Sequence, residues 1–174
     1  MKHVNIEIKA KCFHPEMVEA FLVTHNAKFV GLDLQKDTYF NTPNGRLKLR
    51  QGNIENNLIF YNRNDQKGPK QSNFHLATVT EPAELENLLR GALGIKAIVK
   101  KKRKIFFLDN IKVHLDEVSG LGNFVEIEAS NIFNPEITVE ILHHQCTELM
   151  RQLNINEEDL INNSYSDMLS PKNV

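Results

Sequence analysis

Residues Val4 to Lys11 alternate apolar and polar without a break. In an extended strand this sends Val4, Ile6, Ile8 and Ala10 to one face and Asn5, Glu7, Lys9 and Lys11 to the other. The period of two returns in Arg46-Leu47-Lys48-Leu49-Arg50, in the charged run over residues 98–108, in Ile111–Val118, and in Phe124-Val125-Glu126-Ile127-Glu128. Between these lie Gln35-Lys36-Asp37-Thr38-Tyr39-Phe40, a short strand of β-formers, and an extended stretch from Leu58 to Arg63 in which Tyr61 and Arg63 share a face. A further extended piece covers Lys70–Thr78. Turn clusters separate them: residues 41–45, the asparagine-rich 52–57, Gly68-Pro69, Asp109-Asn110 and Gly120-Leu121-Gly122.

Helical periodicity appears in three places. Pro15 opens a helix to about residue 26, with Met17, Val18, Phe21 and Leu22 as its apolar face. Pro82 opens another through Leu85, Leu88, Leu89 and Leu93, ended by Gly94. A long helix follows Pro135 and uses Ile137, Ile141, Leu142, Leu149, Met150 and Leu153, and residues 157–169 read as a helical turn or two. Strands dominate the middle of the chain without regular βαβ alternation, so the expected class is an antiparallel α+β fold.

Two arrangements satisfy this pattern. With the apolar faces inside a barrel, the charges form a solvated coat and the helices have little to cover. With the sheet rolled so that its charges point inward, the helices pack on an apolar exterior. The second gives those helices something to bury. The inward set would then be Asn5, Glu7, Lys9, Lys11, Lys48, Arg50, Arg63, Lys101, Arg103, His114, Asp116, Glu126 and Glu128, with the carboxylates mostly on the first and last strands and the cations mostly on the middle ones. Carboxylate oxygens suit Mg²⁺ or Mn²⁺, and Lys and Arg suit phosphate oxygens. A cavity lined by both signs holds a triphosphate together with its metal, and that filling offsets the cost of burying the charges.

Composition narrows the setting. At 174 residues the chain fits one domain, 1–174. A net charge of -1, from 21 basic and 22 acidic residues, excludes a surface built as a whole for nucleic acid or acidic membrane, so any electrostatic site is local. Cys12 and Cys146 are too few for a disulfide framework. A charged strand begins almost at once and no apolar run is long enough to cross a bilayer, so a soluble cytoplasmic protein is expected. His143-His144-x-Cys146 suggests a soft-metal site, but adjacent helical positions diverge, and a plain helix face is the simpler reading. Tyr39 and Tyr61 read as packing residues that could line the cavity. Homodimerisation through a strand edge or a helix stays open, with no sequence signature.

Taken in order, Asn5-Ile-Glu7-Ile-Lys9, Gln35-Lys-Asp37-Thr-Tyr39-Phe40, Arg46-Leu-Lys48-Leu-Arg50, Val99-Lys-Lys101-Lys-Arg103, His114-Leu-Asp116-Glu-Val118 and Gly120-Leu-Gly122-Asn-Phe124-Val-Glu126-Ile-Glu128 resemble the successive motifs of the CYTH superfamily, the triphosphate tunnel metalloenzymes. The C-terminal Ser164-Tyr165-Ser166-Asp167-Met168-Leu169 is similar to that of its class IV adenylyl cyclase-like branch. The resemblance implies an eight-stranded antiparallel β-barrel, a tunnel with a charged interior covered outside by helices. It also implies a divalent metal, Mg²⁺ or Mn²⁺, and a triphosphate substrate such as ATP, thiamine triphosphate or tripolyphosphate.

Carried over on matching positions, it marks Glu7, Asp116, Glu126 and Glu128 as metal ligands, Lys9 as the lysine that ends the first motif, and Lys48, Arg50, Lys101 and Arg103 as phosphate-binding, with Arg63 a weaker match. Lys11, next on the polar face of the first strand, joins the substrate-binding candidates. Asn5 departs from the family's Glu-x-Glu-x-Lys signature: it offers a carbonyl oxygen but no charge. Glu7, Lys9 and Arg103 are the catalytic candidates. Water as nucleophile would make a triphosphatase, and the ribose 3′-hydroxyl of ATP attacking the α-phosphorus would make an adenylyl cyclase. Glu126→Gln and Arg103→Ala would each be expected to lower metal-dependent turnover with the fold intact. The rival reading is a non-catalytic polyphosphate, nucleotide or RNA binding module, suggested by the basic run 100–104; the glutamates argue against nucleic acid as the partner.

Overall fold

In the computed structural model, residues 4–62, 67–132 and 134–169 are described. The strands are β1 (Val4–Lys11), β2 (Lys28–Phe40), β3 (Arg46–Gln51), β4 (Asn56–Asn62), β5 (Lys70–Thr78), β6 (Ile95–Leu108), β7 (Ile111–Val118) and β8 (Gly122–Ser130). The helices are α1 (Pro15–Thr24), α2 (Pro82–Leu93), α3 (Val139–Gln152) and the short α4 (Tyr165–Leu169), with a 3₁₀ turn at Glu157–Asp159. All strand pairs are antiparallel, and the sheet closes in the order β1-β5-β4-β3-β2-β6-β7-β8, with β8 returning to β1. The expected α+β class and eight-stranded barrel are therefore what the chain adopts.

The charges do point inward. The apolar face of β1, β7 and β8 looks out, and Ile6, Ile8, Ala10, Val113, Leu115, Val125, Ile127 and Ala129 pack there against Val18 and Leu22 of α1 and Leu142, Cys146 and Leu149 of α3. This layer is the main core, outside the barrel rather than within it.

The helices differ from expectation in their faces. Met17 of α1 and Ile141 of α3 stay exposed. In α2 the buried residue is Glu86, paired with Lys36 of β2 at 2.5 Å and Arg90 at 2.9 Å, while Leu88 is exposed. The ion pair, not a leucine stripe, ties this helix to the sheet. β2 begins at Lys28, well before the expected residue 35, because it runs along the whole of β6 with a register shift between Phe29 and Gly31. No helix among the described residues is long and apolar enough to cross a membrane.

Candidate functional site

Each inward position of a strand adds one side chain to the bore, and the closed sheet makes these converge. The cavity, about 250 Å³, is lined by Asn5, Glu7 and Lys9 of β1, Lys48 and Arg50 of β3, Lys101 and Arg103 of β6, Lys112 and His114 of β7, and Glu126 and Glu128 of β8. Of the candidates read from the sequence, Glu7, Lys9, Lys48, Arg50, Lys101, Arg103, Glu126 and Glu128 are thus brought together. Lys11 is not: it lies exposed at the end of β1 and is absent from the lining. Arg63 lies outside the described residues.

The two ends of the bore differ. At one end the segment after the 3₁₀ turn lies across the opening: Ile161 N donates to Lys9 O at 2.8 Å, Lys70 Nζ donates to the carbonyls of Ile161 and Asn162, and Arg46 pairs with Asp167 at 3.0 Å. Tyr165 is buried there with Tyr39, Val99, Val118 and Phe124. The opposite end carries the β6–β7 turn and the β3–β4 hairpin. Its wall on β4 and β5 is largely apolar, with Ile59, Phe74 and Leu76 in the lining beside Phe107 and Ile132. The deep part is cationic and the mouth is partly apolar.

Buried acids hold the cations in place. Asp37, absent from the sequence-based site, accepts from Arg50 Nε and Nη2 at 3.0 and 3.1 Å, from Lys101 Nζ at 2.7 Å and from Lys48 Nζ at 3.4 Å. Burial alone would raise its pKa, but Arg50, Lys101 and Lys48 hold the carboxyl well below the ordinary range. On the other wall the guanidinium of Arg103 forks onto Asp116 at 2.6 and 2.5 Å and reaches Glu126 at 2.8 Å, and Lys9 meets the other oxygen of Glu126 at 3.0 Å. Tyr165 adds its hydroxyl to Asp116 at 2.9 Å, and the Lys9 ammonium sits 3.7 Å from its ring centroid. Asp116 is 2% exposed and outside the lining, so its place is beneath Arg103 as a positioning group rather than facing the bore as a ligand.

The cluster that can hold a metal is His114, Glu126 and Glu128, whose ligand atoms lie within 4.8 Å of one another. His114 Nδ1 is 3.4 Å from Glu126 and 3.7 Å from Glu128. Burial and the neighbouring Arg103 push the imidazole pKa down, which keeps it neutral and able to coordinate. Glu7 stands opposite Glu128 in the β1–β8 register. Asn5 Oδ1 and His114 Nε2 are buried with no hydrogen-bond partner among the described residues.

The basic run at 100–104 divides as a strand must. Lys101 and Arg103 enter the bore, whereas Lys102 and Lys104 point outward to Glu117 at 3.2 Å and Glu19 at 2.6 Å. On α3, His143 and His144 are exposed and Cys146 is buried under Ile127, so they do not converge. Sequence reasoning passed over Glu55 and Lys112 as well as Asp37. Lys112 shares its face with His114 by period two and could have been found, as could Asp37, which shares a face with Asp33 and Gln35; Glu55 stands in a turn with no alternation.

Known proteins with similar sequence or structure can now be set beside this geometry. A model of the CYTH domain matches residues 3–165. A Methanocaldococcus jannaschii protein named "Putative adenylate cyclase" is 26% identical over 183 residues, spanning 95% of this chain and 98% of its own. The solved structure of the PH1012 protein from Pyrococcus horikoshii superposes with a TM-score of 0.79 at 24% identity, covering 95% of this chain and 99% of its own. The HpAC1 protein of Hippeastrum, reported with a dominant triphosphatase activity, superposes with a TM-score of 0.62 at 13% identity over 95% of this chain and 93% of its own.

Proposed function

Because the chain belongs to the CYTH domain family, which acts on triphosphates, we propose that it is a divalent-metal-dependent enzyme that takes a triphosphate into this bore and breaks a bond in the phosphate chain. The observation that carries this reading is the convergence of six cations, Lys9, Lys48, Arg50, Lys101, Arg103 and Lys112, on the same cavity as the His114, Glu126 and Glu128 cluster. A polyanion answers the first set and a cation the second.

The residues fit a divalent ion on their donor chemistry. Glu126 and Glu128 supply hard oxygens, His114 a nitrogen, and the orphaned Asn5 Oδ1 a buried carbonyl oxygen without a partner among the described residues. Glu126, Glu128 and His114 would hold the metal, with Glu7 facing them from β1, and an imidazole beside carboxylates leans toward Mn²⁺ over Mg²⁺. When bound, the ion would withdraw charge from the phosphate oxygens.

The chain's own groups do the positioning. Lys9, Lys101 and Arg103, set deep by Glu126, Asp37 and Asp116, would grip the far end of the phosphate chain, and Lys48 would neutralise charge beside them. Organic substituents would stay at the mouth against Ile59, Phe74 and Leu76. With water as nucleophile the product is a diphosphate and orthophosphate; with the ribose 3′-hydroxyl of ATP it is cyclic AMP and pyrophosphate. The triphosphatase activity reported for the Hippeastrum protein of the same fold supports hydrolysis as the first outcome to test.

The test is incubation of the protein with ATP, thiamine triphosphate and tripolyphosphate, each with Mg²⁺ or Mn²⁺, followed by separation of cyclic AMP, pyrophosphate and orthophosphate. Metal-dependent release of orthophosphate is expected. No metal-dependent product from any of these substrates would overturn the proposal.

A further inference from the structure

Glu55 differs from the other carboxylates of the bore. Glu7, Asp37, Asp116, Glu126 and Glu128 belong to strands, whereas Glu55 projects from the β3–β4 hairpin. Its oxygens go to different walls: one accepts from Arg50 Nη1 of β3 at 2.8 Å, the other takes the ammonium of Lys112 on β7. In the closed sheet β2 and β6 lie between β3 and β7. The Arg50–Glu55–Lys112 contact is therefore a chord across the bore, not a rung between neighbouring strands.

The hairpin that presents it is fixed. Asp33, fully buried, accepts from Ile54 N at 2.9 Å and Glu55 N at 3.0 Å, and also from Gln35 Nε2 at 2.7 Å. The Glu55 carboxylate also accepts from Gln35 Nε2 of β2 at 3.3 Å. When it leaves, Arg50 keeps Asp37, and Lys112 turns toward whatever anion replaces the carboxylate.

We infer that Glu55 gates the outer-phosphate position: its carboxylate stands between Arg50 and Lys112, and a ligand long enough to reach both cations must displace it, whereas a shorter one binds the deep cations without meeting it. The inference rests on the triphosphate reading above. On that reading the third phosphate of a chain seated on the deep cations would meet Glu55, and a chain of two would stop short of it.

Calorimetric binding of inorganic tripolyphosphate and of pyrophosphate, with metal removed by chelation, tests it on the wild type, Glu55→Asp, Glu55→Gln and Lys112→Met, and on Glu55→Gln combined with Lys112→Met. Glu55→Asp keeps the charge but is too short to span both cations. It and Glu55→Gln are each expected to bind tripolyphosphate about tenfold more tightly and pyrophosphate within about twofold of the wild type. In the Lys112→Met background the gain from Glu55→Gln should shrink, since one of the two cations held by Glu55 is gone while Arg50 remains. If Glu55→Asp binds like the wild type, or the gain is undiminished without Lys112, Glu55 is not a gate. Should Glu55→Gln fail to fold, Glu55→Asp carries the test. A wild type that binds neither anion overturns the triphosphate reading along with the gate; a wild type that binds tripolyphosphate while the Glu55 variants match it overturns the gate alone.

Discussion

Arg103 joins three acidic or phenolic groups into one buried cluster: it forks onto Asp116, reaches Glu126, and shares Asp116 with Tyr165. Removing the guanidinium would leave Asp116, 2% exposed, without its hydrogen-bonded cation and with only Lys101 nearby to offset its charge. Breaking such a pair costs about 3–5 kcal/mol. Arg103→Ala is thus expected to lower the urea midpoint followed by circular dichroism, against the sequence-based expectation that it would spare the fold. Glu128 is the contrasting case. Its side chain is 25% exposed and lies 3.7 Å from His114 Nδ1. Glu128→Gln should change stability by no more than about 0.5 kcal/mol while removing metal-dependent turnover. Equal losses of stability in the two variants would contradict this division of roles. Period two made Arg103 legible as an inward cation; the depth of its burial and its bond to Asp116 depend on the β6–β7 register, which alternation alone leaves open.

At the scale of elements, the β3–β4 hairpin shows what local reading reaches. The cluster Gly52-Asn53-Ile54-Glu55-Asn56-Asn57 is recognisable as a turn from its residues. Its anchor is not, because Asp33 lies on β2 and meets the hairpin only after β2 and β3 have paired. Gly52 is where the two segments touch: a Cβ there would collide with the Asp33 carboxylate, which is backed by Gln35 and the hairpin amides. Gly52→Ala therefore overpacks a site that cannot give way, and a loss of about 1–3 kcal/mol is expected in chemical denaturation. A neutral result would mean that Asp33 can move without losing its amides. The same dependence on partners explains β2, where Val30, Leu32 and Leu34 alternate with Asp33 and Gln35 but the apolar side stays exposed and the polar side is buried, and the strand lies extended along β6.

For the whole molecule, the barrel's direction of curvature decides both stability and binding. The pattern allowed charges in or out, and helices needing an apolar surface favoured charges in; the layer under α1 and α3 is that surface. Burying so many ionisable groups makes the fold pH-dependent with a definite sign. Asp37, Asp116 and Glu126 have folded pKa values below their ordinary 3.8 and 4.5, so their contribution is complete above those values and is lost as the medium becomes more acid.

Lys101 adds to the same slope at higher pH. Burial, with Arg103 and Arg50 nearby, lowers it from 10.5 to about 7 in spite of Asp37. Between those values the unfolded chain binds more protons, so on this account stability rises with pH. Anion binding has the opposite slope, because a polyphosphate favours the protonated amine and must draw a proton from the medium once Lys101 has lost it. Tripolyphosphate affinity should therefore fall as pH rises from about 6 to about 9, with proton uptake visible as a dependence of the calorimetric heat on the buffer's ionisation enthalpy. The ligand's own titration contributes in the same range, and Lys101→Met isolates the protein's share. If that variant retains the wild-type proton uptake, Lys101 is not the group whose charge the bound phosphate requires.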